Sequence, residues 1–134
     1  MAKRKTIRGR KALLHAAQRA IRERYPELGL SLIDIAEDVG CSPRQIQRVF
    51  RELGDTDFRS FLLRVRMEQA YRLLSRKKEP LPIRRTAPLV GYSKASGLRQ
   101  AFLRFYGCNP SEVQLDPPDY NDLWREKEVR RMVD

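Results

Sequence analysis

Between Ser42 and Glu52 the chain carries Arg44, Gln45, Gln47, Arg48 and Arg51. An arginine fork donates two hydrogen bonds and fits the O6 and N7 acceptors of guanine, while a glutamine amide donates and accepts and fits adenine N7 and N6. On a helix advancing about 100° per residue, an inward side made of Ile46, Val49, Phe50 and Leu53 puts Arg44, Arg48 and Arg51 on the opposite face. Gln45 and Gln47 fall at its flanks. A second set follows the same construction: with Leu98, Ala101, Phe102 and Phe105 inward, Ser96, Arg99, Gln100, Leu103 and Arg104 lie outward or flanking. Ser42 and Lys94, at the starts of the two segments, complete the candidate contacts. A single arginine-rich helix is as readily a solvated charged face. What favours a polyanion groove is that the arrangement occurs twice, each time after a glycine turn.

The duplication is visible residue by residue. Ala36, Val39, Gly40 and Ser42 recur 51 positions later as Ala87, Val90, Gly91 and Ser93, and after a one-residue insertion Ile46 and Phe50 are answered by Leu98 and Phe102. Each copy reads as a short apolar helix ending in Val-Gly, a tight turn, and a second helix with large inward and polar outward positions. That is the pattern of a helix-turn-helix, whose second helix enters the major groove of DNA.

Composition points the same way. With 28 Lys and Arg against 17 Asp and Glu the net charge is +11, and residues 116–134 hold four basic and six acidic side chains, which leaves +13 on residues 1–115. Double-stranded DNA is the expected partner of such a charge. Enzymatic chemistry lacks its residues: His15 is the single histidine, without clustered carboxylates to make a general base. Cys41 and Cys108, placed at turns without histidine neighbours, form neither a zinc site nor an activated thiol. No enzyme activity, cofactor or metal is expected. The two cysteines suggest no disulfide framework and fit a reducing cytoplasm, with the protein on the nucleoid. No stretch reaches the ~18 apolar residues of a membrane span, and the basic start MAKRKTIRGRK leads into a segment broken by His15, Gln18 and Arg19, unlike a signal peptide.

The positioning elements are all helical. Residues 1–8 read as a basic arm and Lys11 to Tyr25 as a first helix with Leu13, Leu14, Ala17 and Ile21 on one face. Ser31 caps a second helix stopped by Gly40, and Ser42 caps a third, with Pro43 in the first position, running to about Leu53. From Asp57 to about Arg76 a long helix repeats Phe58, Phe61, Leu62, Val65, Gln69, Ala70 and Leu73 on one stripe. Pro82 starts a fifth helix to about Val90, Ser93 caps a sixth to about Tyr106, and Pro110 opens a short closing helix. The expected organisation is an all-α, tandem helix-turn-helix domain over 1–115: a first unit at about 9–54, a linker helix at about 57–76 and a second unit at about 81–115. An extension follows at 116–134, in which Tyr120, Leu123 and Trp124 can dock as a short helix or fray.

These residues resemble the two-unit DNA-binding domain of the AraC/XylS transcriptional regulators over roughly residues 9–115. In the first unit the likeness rests on SLIDIAEDVGCSPRQIQRVFRELG with RVRMEQAYRLL, and in the second on VGYSKASGLRQAFLRFYGCNPSE, where Val90, Gly91, Phe102, Gly107 and Pro110 match. Thr86, Pro88 and Gly97 depart from the pattern. The resemblance implies a sequence-specific transcription regulator whose two recognition helices read successive major-groove segments, with base contacts at Arg44, Gln45, Gln47, Arg48, Ser96, Arg99 and Gln100. It also implies the small standalone type, a monomer without an effector-binding domain, with RNA polymerase as a candidate partner. The competing reading is an architectural or accessory DNA-binding protein that bends DNA in recombination or serves a mobile element.

Overall fold

A computed structural model describes residues 9–115, and the expectations for the arm at 1–8 and the extension at 116–134 lie outside the described residues. The described chain is all-helical: α1 (Arg10–Arg24), α2 (Leu32–Val39), α3 (Pro43–Leu53), α4 (Phe58–Leu74), α5 (Ile83–Leu89), α6 (Ala95–Tyr106) and α7 (Pro110–Leu115). It divides into two compact units between Val65 and Arg66, within α4.

In the first unit α1 packs on α2 and α3. The core is formed by Leu14, Ala17 and Ile21 of α1, Ile35, Ala36 and Val39 of α2, Ile46, Val49 and Phe50 of α3, and Phe58, Phe61, Leu62 and Val65 of α4. Both inner helices begin on reciprocal caps. Ser31 Oγ accepts from Asp34 N and the Asp34 carboxylate accepts from Ser31 N; Ser42 and Gln45 repeat the device on α3. Each box satisfies two of the backbone donors that a helix start leaves open. The bonds from Ser31 hold the Asp34 carboxyl below its usual range. Arg24, at the end of α1, pairs with Glu27 and with Asp38 at 2.7 Å, tying α1 to α2. Between α2 and α3 the chain reverses at Gly40, whose φ of 82° is a left-handed conformation that side chains resist.

The second unit repeats the turn on a different core. Gly91 has φ 96°, and Tyr92 N donates to Ala87 O at 2.9 Å as Cys41 N donates to Ala36 O at 3.0 Å. The core is aromatic at its centre: Tyr106 packs against Phe102, Phe105 and Tyr71 at centroid distances of 4.7, 4.8 and 5.7 Å. Around them lie Met67, Ala70, Leu74, Ala87, Val90, Leu98 and Val113, all buried. Thr86, a departure from the resemblance, is fully buried, and its hydroxyl donates to Pro82 O at 3.0 Å, so its polarity is satisfied inside its own helix. Pro88 sits exposed near the end of the seven-residue α5.

Three sequence expectations change. The stripe on α4 runs through Phe58, Phe61, Leu62 and Val65 as expected, but then passes to Met67, Ala70, Tyr71 and Leu74, leaving Gln69 and Leu73 half-buried. One helix serves two cores, and a single stripe cannot describe it. Leu53, taken as inward, is 47% exposed at the end of α3. Ser93 does not cap α6. The N-cap is Lys94, without a side-chain hydrogen bond, because the one-residue insertion moves the start of the second copy past its serine.

Candidate nucleic-acid interface

On α3 the structure brings Arg44, Gln45, Gln47, Arg48 and Arg51 together as exposed side chains, opposite the buried Ile46, Val49 and Phe50. This is the face that helical geometry predicts. Among the described residues no carboxylate pairs with Arg44, Arg48 or Arg51. The one acidic residue of α3, Glu52, is engaged by Arg10 of α1. Among the described residues three guanidinium forks therefore stand without a carboxylate partner, with the donors that phosphate or a guanine edge accepts.

Ser42 and Gln45 have a different status from the arginines. Gln45 Oε1 accepts from Ser42 N at 3.0 Å and from the Ser42 hydroxyl at 3.3 Å, while Ser42 Oγ accepts from Gln45 N at 3.2 Å. The pair builds the start of the helix that carries the other contacts. The signal for this was present in the sequence as Ser-x-x-Gln before an apolar run.

In the second unit Lys94, Ser96, Arg99, Gln100, Leu103 and Arg104 are exposed on or at the start of α6, opposite buried Leu98, Phe102 and Phe105. Within the helix itself the face carries two cations, Arg99 and Arg104, against three on α3, and Leu103, 46% exposed, stands in it. Counted from their caps, Lys94 occupies the place of Ser42, Gly97 that of Gln45, Arg99 that of Gln47, Gln100 that of Arg48 and Leu103 that of Arg51. A Cβ built on Gly97 would meet only the Tyr92 ring, at 3.5 Å, an ordinary contact.

Two supporting contacts escape sequence reading. Arg22 of α1 lies over the Phe61 ring at 5.4 Å, and Arg66 of α4 lies over Tyr92 at 5.6 Å. Tyr92 leads into α6 and its phenol oxygen accepts from the Arg66 guanidinium; burial pushes the phenol up and the guanidinium down from their ordinary values. No local motif announces such pairs, since their partners stand on different helices. Cys41, in the first turn, is half-buried, and burial raises its thiol. Among the described residues no helix is long and apolar enough to cross a membrane.

Two helix-turn-helix units, each with exposed polar side chains on its second helix, define a DNA-binding class of domain. A family model described as a helix-turn-helix domain matches residues 35–115, and the chain belongs to this family, in its AraC type. Among curated relatives, the Msm operon regulatory protein of Streptococcus mutans is 28% identical over 79% of this chain and 37% of its own length. The RCS-specific HTH-type transcriptional activator RclR of Escherichia coli is 29% identical over 76% of this chain and 36% of its own. The chain thus spans just over a third of the length of these relatives. Among solved structures, the C-terminal domain of AraT, a response regulator from Geobacillus stearothermophilus, superposes with a TM-score of 0.70 at 26% identity, covering 81% of this chain and 92% of that one. A transcriptional regulator of Chromobacterium violaceum with an AraC-type DNA-binding domain shares the fold at a TM-score of 0.72 and 24% identity, over 82% of this chain and 96% of its own.

Proposed function

We propose that this chain is a sequence-specific transcription regulator that reads DNA with α3 and α6, each in one of two successive major-groove segments. The observation that carries the reading is the α3 face, where Arg44, Gln47, Arg48 and Arg51 are exposed together opposite the buried Ile46, Val49 and Phe50. Arg44, Gln47 and Arg48 on α3 and Ser96, Arg99 and Gln100 on α6 are the base-reading residues; Arg51, Lys94 and Arg104 add charge against phosphate. Ser42 acts through the cap it supplies.

One chain carries two recognition helices, which simple helix-turn-helix proteins obtain by dimerising, so a monomer suffices to read two segments. The partner is double-stranded DNA, the compartment the cytoplasm at the nucleoid. RNA polymerase is a second partner, in line with the activator role that the name of RclR states for that protein.

Footprinting on genomic DNA tests the reading. We expect protection of roughly 20 base pairs at discrete sites upstream of genes, spanning two half-sites one helical turn apart. With 6–10 phosphates contacted, affinity should fall by ~10³–10⁵ between 50 and 200 mM salt. Broad coverage without sequence preference would instead favour an architectural protein. Protection of only ~10 base pairs would leave a single helix-turn-helix as the reader.

A further inference from the structure

The amide of Gln45 cannot present both of its ends to DNA. Its oxygen already accepts two hydrogen bonds, from Ser42 N at 3.0 Å and from the Ser42 hydroxyl at 3.3 Å, which fills the two lone pairs of a carbonyl. The orientation of the amide is fixed chemically: the end facing Ser42 N–H must be the acceptor, so Nε2 and its two hydrogens point away from the cap. Gln45 is exposed, at the flank of the arginine face. A glutamine that reads adenine needs its oxygen for N6 as well as its nitrogen for N7. Gln47, also exposed, is held in no such cap among the described residues.

We propose that Gln45 meets DNA only as a hydrogen-bond donor, through Nε2 to a backbone phosphate at the wall of the groove, and that Gln47 is the adenine-reading glutamine of α3. This inference rests on the DNA-reading role of α3 argued above. It gives Gln45 a place in fixing the register of the helix on DNA and removes it from the set that discriminates bases.

Gln45→Glu separates the two roles. A glutamate closes the capping box as well as a glutamine and suits the positive end of the helix, yet it replaces two outward donors with an anionic acceptor. Using the full chain and a duplex selected from random DNA by the wild type, we expect Gln45→Glu to melt at or above the wild-type temperature. Its affinity should fall about ten-fold or more, by the same factor on selected and on scrambled duplex. Replacing phosphates one at a time by neutral methylphosphonates should reveal one position at which the difference between wild type and Gln45→Glu shrinks towards nothing. Gln47→Ala should instead lower the ratio of selected to scrambled affinity. The inference is overturned if Gln45→Glu narrows that ratio, which would make Gln45 a base reader. It is equally overturned if the substitution leaves affinity unchanged or if no methylphosphonate position absorbs its effect. A wild-type chain that never enriches a preferred duplex would sink the underlying DNA-reading role itself, a result distinct from any of these.

Discussion

The two recognition helices descend from one pattern and are held in place by different physics. α3 is stabilised from its own sequence: Ser42 and Gln45 close its first turn, Pro43 occupies the first helical position, and Gly54 N–H returns to Phe50 O at its end. α6 starts at Lys94 with no side-chain cap and carries Gly97 where α3 carries Gln45. It depends on packing, with Phe102, Phe105 and Tyr106 gathered against Tyr71. The outward faces diverge likewise, since Arg48 and Arg51 of α3 are answered by Gln100 and Leu103 on α6. A duplicated unit can thus keep its inward positions, where Ile46 and Leu98, or Phe50 and Phe102, are alike fully buried, while caps and contacts change. Burial constrains the inner face in every copy, and the outer face answers only to the ligand.

The comparison breaks most decisively in the core of the second unit. Phe102→Ala removes a fully buried ring in contact with Tyr106 at 4.7 Å and should cost about 3–5 kcal/mol. Because α6 has no cap to fall back on, its amides should lose hydrogen-exchange protection while those of α3 keep theirs. Equal loss in both helices would show that the two units unfold together and that the local cap gives α3 no independence.

Base discrimination sharpens the contrast between the faces. Arg48→Ala should cost ~1–3 kcal/mol on the best site and flatten the preference at one or two base pairs. Gln100→Ala, its counterpart on α6, should cost less, because one neutral amide replaces a charged fork. Competition binding against single-base variants of the selected duplex measures both. If Arg48→Ala weakened all duplexes by one factor, the α3 arginine would be gripping phosphate only.

Much of this difference is legible in the amino-acid sequence. The spacing of 51 and then 52 between Ala36 and Ala87, Ile46 and Leu98, and Phe50 and Phe102 announces two units, because burial holds those positions in both. The exposed arginines of α3 follow from the helical period of about 100° per residue. What escaped is local or long-range. A one-residue insertion between Gly91 and Leu98 changes which residue is the N-cap, so Ser93 loses the role that Ser42 has. The second half of α4 turns Met67 and Tyr71 inward because it faces a different core from the first half, and no single-stripe analysis anticipates two cores on one helix. Gln45 fits two patterns at once, a reading face and a capping box, and the hydrogen bonds show that the box is formed. Pairs such as Arg66 with Tyr92 need the tertiary fold to exist.

The caps themselves are tested by Ser42→Ala. The substitution removes the acceptor for Gln45 N and the hydroxyl bond to Gln45 Oε1, and should cost about 1 kcal/mol. Thermal melting reads the loss, and a domain of this size should lose roughly 4–8 °C. The corresponding Ser93→Ala should change the melting temperature little, since Ser93 caps nothing. An effect as large as that of Ser42→Ala would mean that α6 is capped by Ser93 after all.

The smallest effect expected comes from Gly97, and its sign carries the information. Glycine in a helix costs roughly 0.5–1 kcal/mol relative to alanine through the freedom it loses on folding. Gly97 does not have a positive φ, and among the described residues a Cβ there would touch only Tyr92, at 3.5 Å, so their packing gives no reason for its presence. Gly97→Ala should raise the melting temperature by a few degrees. Binding then decides why the glycine stands where α3 has Gln45. If the position is merely tolerated, affinity for the selected duplex stays at the wild-type value, which is the outcome we expect, given that Lys94, Ser96 and Arg99 supply the contacts around it. If the variant gains stability but loses affinity, the bare backbone at Gly97 approaches DNA closely. α6 would then read its groove by backbone proximity, where α3 reads by long side chains.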